Sequence, residues 1–154
     1  MRHLMKILLT ISTLGIIIVG CNNSGNPAGP SDTQGSGSIQ YTFSTPKATY
    51  KSGDTLTAAT TVHNSGSVAD TIGVEASDFQ WALVNSSGDS VMRGGNAAIL
   101  AELLPVAPGQ SEPIDFYSIK QALRGAQGHP LPSGSYSLEA TVRSMSFLLK
   151  LSVQ

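Results

Sequence analysis

Along the C-terminal part of the chain, apolar and polar positions alternate. Tyr136, Leu138, Ala140 and Val142 are separated by Ser137, Glu139 and Thr141, and Phe147, Leu149, Leu151 and Val153 by Leu148, Lys150 and Ser152. Successive side chains of a strand point to opposite faces, so this period of two predicts two strands that each offer one face to a core. Arg143-Ser144 is the break between them. Leu56, Ala58, Thr60 and Val62 form a third alternating set. Phe79, Trp81 and Leu83 form a fourth, which carries the only tryptophan and predicts its burial between two sheets. The segment "NSSGD" at 85–89 predicts a turn into a short strand at 90–92.

Turn signals recur as "KSGD" (51–54), "NSGS" (64–67), "SSGD" (86–89), "RGGN" (93–96), "APGQ" (107–110) and "LPSG" (131–134). Their spacing suits many short antiparallel strands, and the expected architecture is an all-β sandwich of roughly seven to nine strands. Two segments depart from the period. "NAAILAELL" at 96–104 is rich in helix formers and stops at Pro105, and "IKQALRGAQG" at 119–128 has room for a turn of helix. Both are too short to be stable helices alone and read as excursions between strands.

Composition divides the chain. Residues 22–38, "NNSGNPAGPSDTQGSGS", contain no aromatic side chain and no aliphatic one larger than alanine. Such a segment buries too little to fold by itself and reads as a flexible tether. Residues 39–154 then form one domain with one core. Charged residues make up only 12% of the whole chain, about half the usual share, so the domain's skin is mainly uncharged polar.

At the other end, Arg2, His3 and Lys6 precede "ILLTISTLGIIIV", an apolar run of 13 residues at 7–19. Spanning a bilayer takes about 20, and Thr10, Ser12 and Thr13 interrupt the run. A cleavable secretory signal fits better than a permanent membrane helix. The run ends at Ile18-Val19-Gly20-Cys21, and Cys21 is the only cysteine, so it has no disulfide partner within the chain.

This tetrapeptide resembles the lipobox of bacterial lipoproteins, with an aliphatic residue three before the cysteine and a small one immediately before it. The resemblance implies that residues 1–20 are a signal peptide, that the Cys21 thiol receives a diacylglyceryl group, and that the new amine is acylated by a chain such as palmitate. Two or more acyl chains hold a protein stably where one gives marginal binding. Asn22, where an Asp would retain the protein at the inner membrane, implies the outer membrane if the envelope is Gram-negative. The implied partner of residues 21–38 is therefore the membrane. The chain without residues 1–20 has 7 basic and 10 acidic side chains, a formal charge of −3. No basic stripe is available for nucleic acid.

A second resemblance covers most of residues 41–143. Tyr50-Lys51-Ser52-Gly53-Asp54, Val62-His63-Asn64-Ser65-Gly66, Phe79 and Trp81, Gly88-Asp89-Ser90-Val91, Ala107-Pro108-Gly109-Gln110-Ser111 and Leu131-Pro132-Ser133-Gly134-Ser135-Tyr136 occur in order. This series is similar to the bacterial intracellular proteinase inhibitor domain, BsuPI. The family implies an immunoglobulin-like β-sandwich and, as a function, inhibition of a serine protease, here an exported one. Nearly every matching element is a turn or a core position. Tyr136, at a strand start, suits a tyrosine corner, in which the hydroxyl reaches back to a preceding backbone group.

Catalytic chemistry has a thin inventory. His63 and His129 have no other His or Cys at ligand spacing, so no metal is expected. Gly109-Gln110-Ser111-Glu112-Pro113 lacks the last glycine of a nucleophile elbow. Asp54, Asp70, Glu75, Asp78 and Asp89 lack calcium-loop spacing. The expectation is a protein that is not an enzyme, with no catalytic residue and no cofactor. Binding asks for less. Arg93 in Met92-Arg93-Gly94-Gly95 and Arg124 in Leu123-Arg124-Gly125 sit on basic, glycine-flanked segments expected to be loops, of the kind that can fill a protease specificity pocket. Two readings lead: a protease inhibitor, and a non-inhibitory envelope binding or assembly module.

Overall fold

The computed structural model describes residues 29–96, 100–125 and 127–154, and the chain is all-β. The strands are β1 (Ser31–Ser36), β2 (Ile39–Ser44), β3 (Thr49–Tyr50), β4 (Thr55–Asn64), β5 (Asp70–Glu75), β6 (Phe79–Asn85), β7 (Ser90–Gly95), β8 (Ala101–Val106), β9 (Ser111–Ala122), β10 (Gly134–Val142) and β11 (Met145–Val153), with a 3-10 turn at Ala76–Asp78. One sheet has the order β1-β2-β4-β9 and a second the order β3-β11-β10-β6-β7, while β5 and β8 form a two-stranded ribbon. Pairing is antiparallel except that β3 runs parallel to β11, Thr49 opposite Ser152 and Tyr50 opposite Val153. After β1 and β2 the chain contributes β3 to the second sheet, returns to the first with β4, re-enters the second at β6 and β7, and returns to the first at β9 before closing the second with β10 and β11. This exchange between facing sheets is that of an immunoglobulin-like sandwich.

The alternating positions meet between the sheets. Leu56, Ala58, Thr60 and Val62 of β4, Tyr136, Leu138, Ala140 and Val142 of β10, and Phe147, Leu149, Leu151 and Val153 of β11 are all buried. At the centre, the Phe43 ring lies 6.3 Å from Phe79 and 6.0 Å from Phe147, and Phe79 stacks on Tyr117 at 5.8 Å. Aromatic pairs at such separations contribute about 0.5–1.5 kcal/mol beyond the area they bury.

Two buried polar side chains hold irregular backbone. Thr60 donates to the Tyr117 carbonyl at 2.8 Å, where the β4–β9 register jumps from Ala58↔Ile119 to Thr60↔Ile114. Asn64, at the end of β4, has an amide nitrogen that donates to the carbonyls of Val68 at 2.8 Å and Val106 at 3.0 Å, and a side-chain oxygen that accepts from the Gly66 N–H at 2.9 Å. One side chain thus fastens its own turn to the end of β8. The Tyr136 hydroxyl donates to the Pro132 carbonyl at 2.8 Å, which makes the expected tyrosine corner.

Three expectations are corrected. The eleven strands exceed the seven to nine expected, partly because β1 lies inside the segment read as tether. β1 pairs with β2 along its whole length, from Ser31↔Ser44 to Ser36↔Ile39. Backbone pairing asks nothing apolar of β1 once β2 is fixed by the core side chains Tyr41 and Phe43. The Asp32 carboxylate also accepts from the Leu148 N–H at 3.0 Å, so β1 lies against β11 as well. Folded chain therefore begins before residue 39, while Cys21 and residues 1–20 lie outside the described residues. The helix-rich stretch before Pro105 contributes Ala101–Val106 as β8, paired with β5 from Glu75↔Ala101 to Asp70↔Val106; Ala97, Ala98 and Ile99 lie outside the described residues. Ile119 to Ala122 likewise continue β9. Sheet pairing overrides the weak helical preference of segments too short to hold a helix.

Candidate functional site

The third correction leads to the site. Trp81 packs against the core yet is only half-buried, unlike Phe79 and Leu83 on the same strand. The cause lies in the β6–β7 hairpin. Its turn is set by Asn85, whose side-chain oxygen accepts from the N–H groups of Ser87 at 3.0 Å and Asp89 at 2.9 Å. From that turn the pairing starts at Val84 opposite Ser90, and a one-residue bulge at Val91 then shifts the register, putting Leu83 opposite Met92, Ala82 opposite Arg93 and Trp81 opposite Gly94. A Cβ built on Gly94 would fall 2.8 Å from both Cε2 and Nε1 of the indole. The ring therefore lies against the bare backbone of β7, at the end of the sheet, where a side chain would otherwise stand.

The opposite wall comes from the end of β9. Gln121 is the next-to-last residue of the strand and Leu123, just beyond it, is buried, its N–H bonded to the Asp54 carbonyl at 2.8 Å and its carbonyl to the Leu131 N–H at 3.2 Å. This fastening leaves Arg124 and Gly125 at the rim. Gly125 N–H bonds the His129 carbonyl at 2.9 Å, and the Arg124 guanidinium donates to the Gly128 carbonyl at 2.9 Å. Between the two walls runs an open groove of about 630 Å³, lined by Trp81, Ser90, Met92, Arg93, Gln121 and Arg124 among others. Its volume lies within the ordinary range of small-ligand sites, about 300–1,000 Å³. A smaller groove of about 400 Å³ shares Trp81, Ser90 and Arg93 and adds Glu139.

Both arginines singled out from the sequence therefore border one groove. Arg93, however, is not on a loop: it belongs to strand β7 and is exposed there. Arg124 does stand on a turn, but its guanidinium is engaged with that turn's own backbone. What the sequence reading missed is the half-buried indole and the glycine that makes room for it. The turn "NSSGD" was legible, but register counted out from it pairs Trp81 with Arg93, and the bulge between Ser90 and Met92 moves its partner to Gly94.

The residues weighed for catalysis lie elsewhere. His63 Nδ1 is 2.9 Å from Ser111 Oγ, but the two are cross-strand neighbours of β4 and β9, and among the described residues no carboxylate bonds the ring. His129 meets Gly125 only through its backbone carbonyl. Among the described residues no group of three or more His, Cys, Asp and Glu side chains is placed to hold a metal ion. The perturbed acids do not line the groove: burial pushes the phenols of Tyr50 and Tyr117 up, and the hydrogen bond from Lys47 pulls the Asp54 carboxyl down.

No protein-family model matches the chain, and neither does any curated protein. Solved structures of similar shape include the β-glucosidase EmGH1 from Erythrobacter marinus, with TM-score 0.44 and 15% identity over 79% of this chain and 16% of that one. A cycloisomaltooligosaccharide glucanotransferase from Paenibacillus sp. aligns with TM-score 0.43 and 18% identity over 71% of this chain and 13% of that one. The alkylpurine DNA glycosylase AlkC from Pseudomonas fluorescens gives TM-score 0.45 and 12% identity over 76% and 30%. The chain spans less than a third of the length of each of these proteins.

Proposed function

We propose that this chain is a lipid-anchored binding module of the bacterial cell envelope, and that its docking surface is the groove at β7. One observation carries the reading: Arg93 and Arg124, from separate parts of the chain, line a single concave groove together with the half-buried Trp81. An aromatic side chain held at the surface beside arginines is the usual make-up of an interface anchor. The anchor to the membrane is Cys21, and the destination in a Gram-negative cell is the outer membrane.

Inhibition of an exported serine protease is the second reading, favoured by the run of BsuPI-like turns. An inhibitor that fills a protease cleft presents a projecting segment with a free side chain. Arg93 on a paired strand and Arg124 engaged with Gly128 suit that task less well than a receiving surface does.

Two measurements test the proposal. A photo-cross-linking residue in place of Met92, in living cells, should capture a discrete partner, and capture should fall when Arg93 and Arg124 are both replaced by Gln. A cross-linker in place of Thr61, on the first sheet, serves as the control. Equal capture from both faces would count against the groove. A panel of subtilisin-like and trypsin-like proteases, inhibited at stoichiometric concentration by the chain, would instead favour the inhibitor.

A further inference from the structure

An open groove with two arginines admits several ligands, but the strand that forms its rim narrows the choice. β7 is the last strand of its sheet, paired with β6 on one side only among the described residues. The end of a sheet presents a row of backbone N–H and C=O groups ready to pair with another extended chain. Gly94 and Gly95 are consecutive, so this part of the edge carries no side chain to shield it. Both lie close against the neighbouring strand β6: a Cβ on Gly95 would fall 2.8 Å from the Phe79 carbonyl oxygen, as one on Gly94 would from the indole. The result is a stretch of bare backbone backed by an aromatic ring.

The charge around it is one-sided. Among the described residues neither Arg93 nor Arg124 forms an ion pair, the salt bridge there being Lys47–Asp54. No carboxylate lines the larger groove, and Glu139 borders only the smaller one. These two cations face outward from a protein whose formal charge is negative. Guanidinium groups bind carboxylates with charge-assisted, often two-pronged hydrogen bonds.

We infer that the occupant of the groove is an extended acidic peptide segment of a partner protein, added as a further strand to the free edge of β7. Its backbone pairs with the Ser90–Gly95 strand, its carboxylates meet Arg93 and Arg124, and an apolar side chain rests on Trp81 and Met92. Recognition of a strand edge through the main chain, with side chains supplying selectivity, is a general mode of peptide binding. A carboxylated sugar meets the arginines equally well but has no alternating N–H and C=O groups for the edge. The inference rests on the binding-module reading and deepens it.

The test uses the full chain in detergent and fluorescent eight-residue peptides. An alternating Glu/Thr peptide should bind, and an alternating Lys/Thr peptide should not. Methylating alternate backbone nitrogens of the Glu/Thr peptide should weaken it at least about tenfold, as should Arg93→Gln or Arg124→Gln in the protein, because each removes a bond whose loss is worth roughly that factor. Both arginines are exposed, so unchanged melting curves separate lost binding from lost folding. Hydrogen exchange of the β7 amides should slow when the Glu/Thr peptide is bound. The inference is overturned if N-methylation has no effect, if the Lys/Thr peptide binds equally, or if oligogalacturonate binds as tightly as the Glu/Thr peptide with the same arginine dependence. If no peptide binds while arginine-dependent capture by the Met92 cross-linker persists, the acidic strand is wrong and the binding module stands. If both fail, so does the module.

Discussion

Replacing Asn64 by Ala tests how the loops of one end of the sandwich are held. The side chain is completely buried and makes three hydrogen bonds, to Val68, Val106 and Gly66. The bonds to Val68 and Gly66 are partly buried, so water can replace them, and each is worth about 1 kcal/mol. The Val106 bond is buried, and losing its donor leaves a carbonyl unmatched at a cost of about 1–3 kcal/mol. Asn64→Ala should therefore destabilise by about 3–5 kcal/mol in all. At a urea dependence of about 2 kcal/mol per molar, that moves the unfolding midpoint by about 1.5–2.5 M. Equilibrium urea unfolding of the full chain, followed by Trp81 fluorescence and circular dichroism together, measures it.

Two companions sharpen the experiment. Ser65→Ala removes an exposed hydroxyl that donates to the Ser38 carbonyl at 3.1 Å while the backbone bond between the same residues remains, and should cost under about 0.5 kcal/mol. Asn64→Asp puts an acceptor where two carbonyls need a donor. Burial would raise the folded-state pKa of the new carboxyl, so this variant should gain stability as the pH falls, opposite in sign to a surface aspartate. A loss below about 1 kcal/mol for Asn64→Ala would mean that solvent replaces all three bonds, and that Asn64 does not organise this end of the fold.

Tyr136→Phe removes the single bond to Pro132 and should cost about 1 kcal/mol in the same assay, with no change in secondary structure. Trp81→Ala should cost less than the 3–5 kcal/mol typical of a fully buried tryptophan, because Trp81 is half-buried; a loss of that full size would place the ring inside the core. Cys21→Ser should abolish fatty-acid labelling in cells, and persistence of the label would exclude the anchor. Lowering the pH through the depressed Asp54 pKa removes whatever the Lys47–Asp54 contact contributes, since that contribution is complete above the unfolded-state value and is lost as the pH falls through the folded-state one. Both side chains are solvent-exposed in part, so Lys47→Met should lose only a small acid-sensitive increment in a pH series of melting curves.

Legibility followed side-chain chemistry. Positions such as Leu138, Leu149 and Val62 declare their face because burial demands an apolar side chain, and the alternation carried the strand assignments of β4, β10 and β11. Tyr136 declared its corner because a tyrosine at a strand start has a hydroxyl to satisfy. β1 was illegible for the converse reason: Ser31–Ser36 joins mainly through backbone bonds, helped by the polar side chains of Asp32 and Thr33, and nothing in a Ser- and Gly-rich sequence marks backbone pairing. β8 misled because Ala101, Leu103 and Leu104 favour a helix intrinsically, whereas the strand exists through its tertiary partner β5. The groove depended on two steps beyond pattern, the register of a hairpin and the juxtaposition of distant segments. Arg93 and Arg124 could be named from sequence, but their common surface could not.

The pairing of β3 with β11 also orders events in time. Thr49 and Tyr50 find their partners at Ser152 and Val153, the Gln154 N–H bonds the Tyr50 carbonyl at 2.9 Å, and the Gln154 carbonyl accepts from Ser52 at 2.9 Å. Asp32 likewise waits for Leu148. A chain delivered N-terminus first cannot close its second sheet until β11 is free, and such long-range closure is slow compared with local structure. Hairpins such as β6–β7 can form on the way, but one end of the sandwich is sealed only once Gln154 has emerged. Loss of Ser152, Val153 and Gln154 would therefore unlatch a strand that lies about a hundred positions upstream.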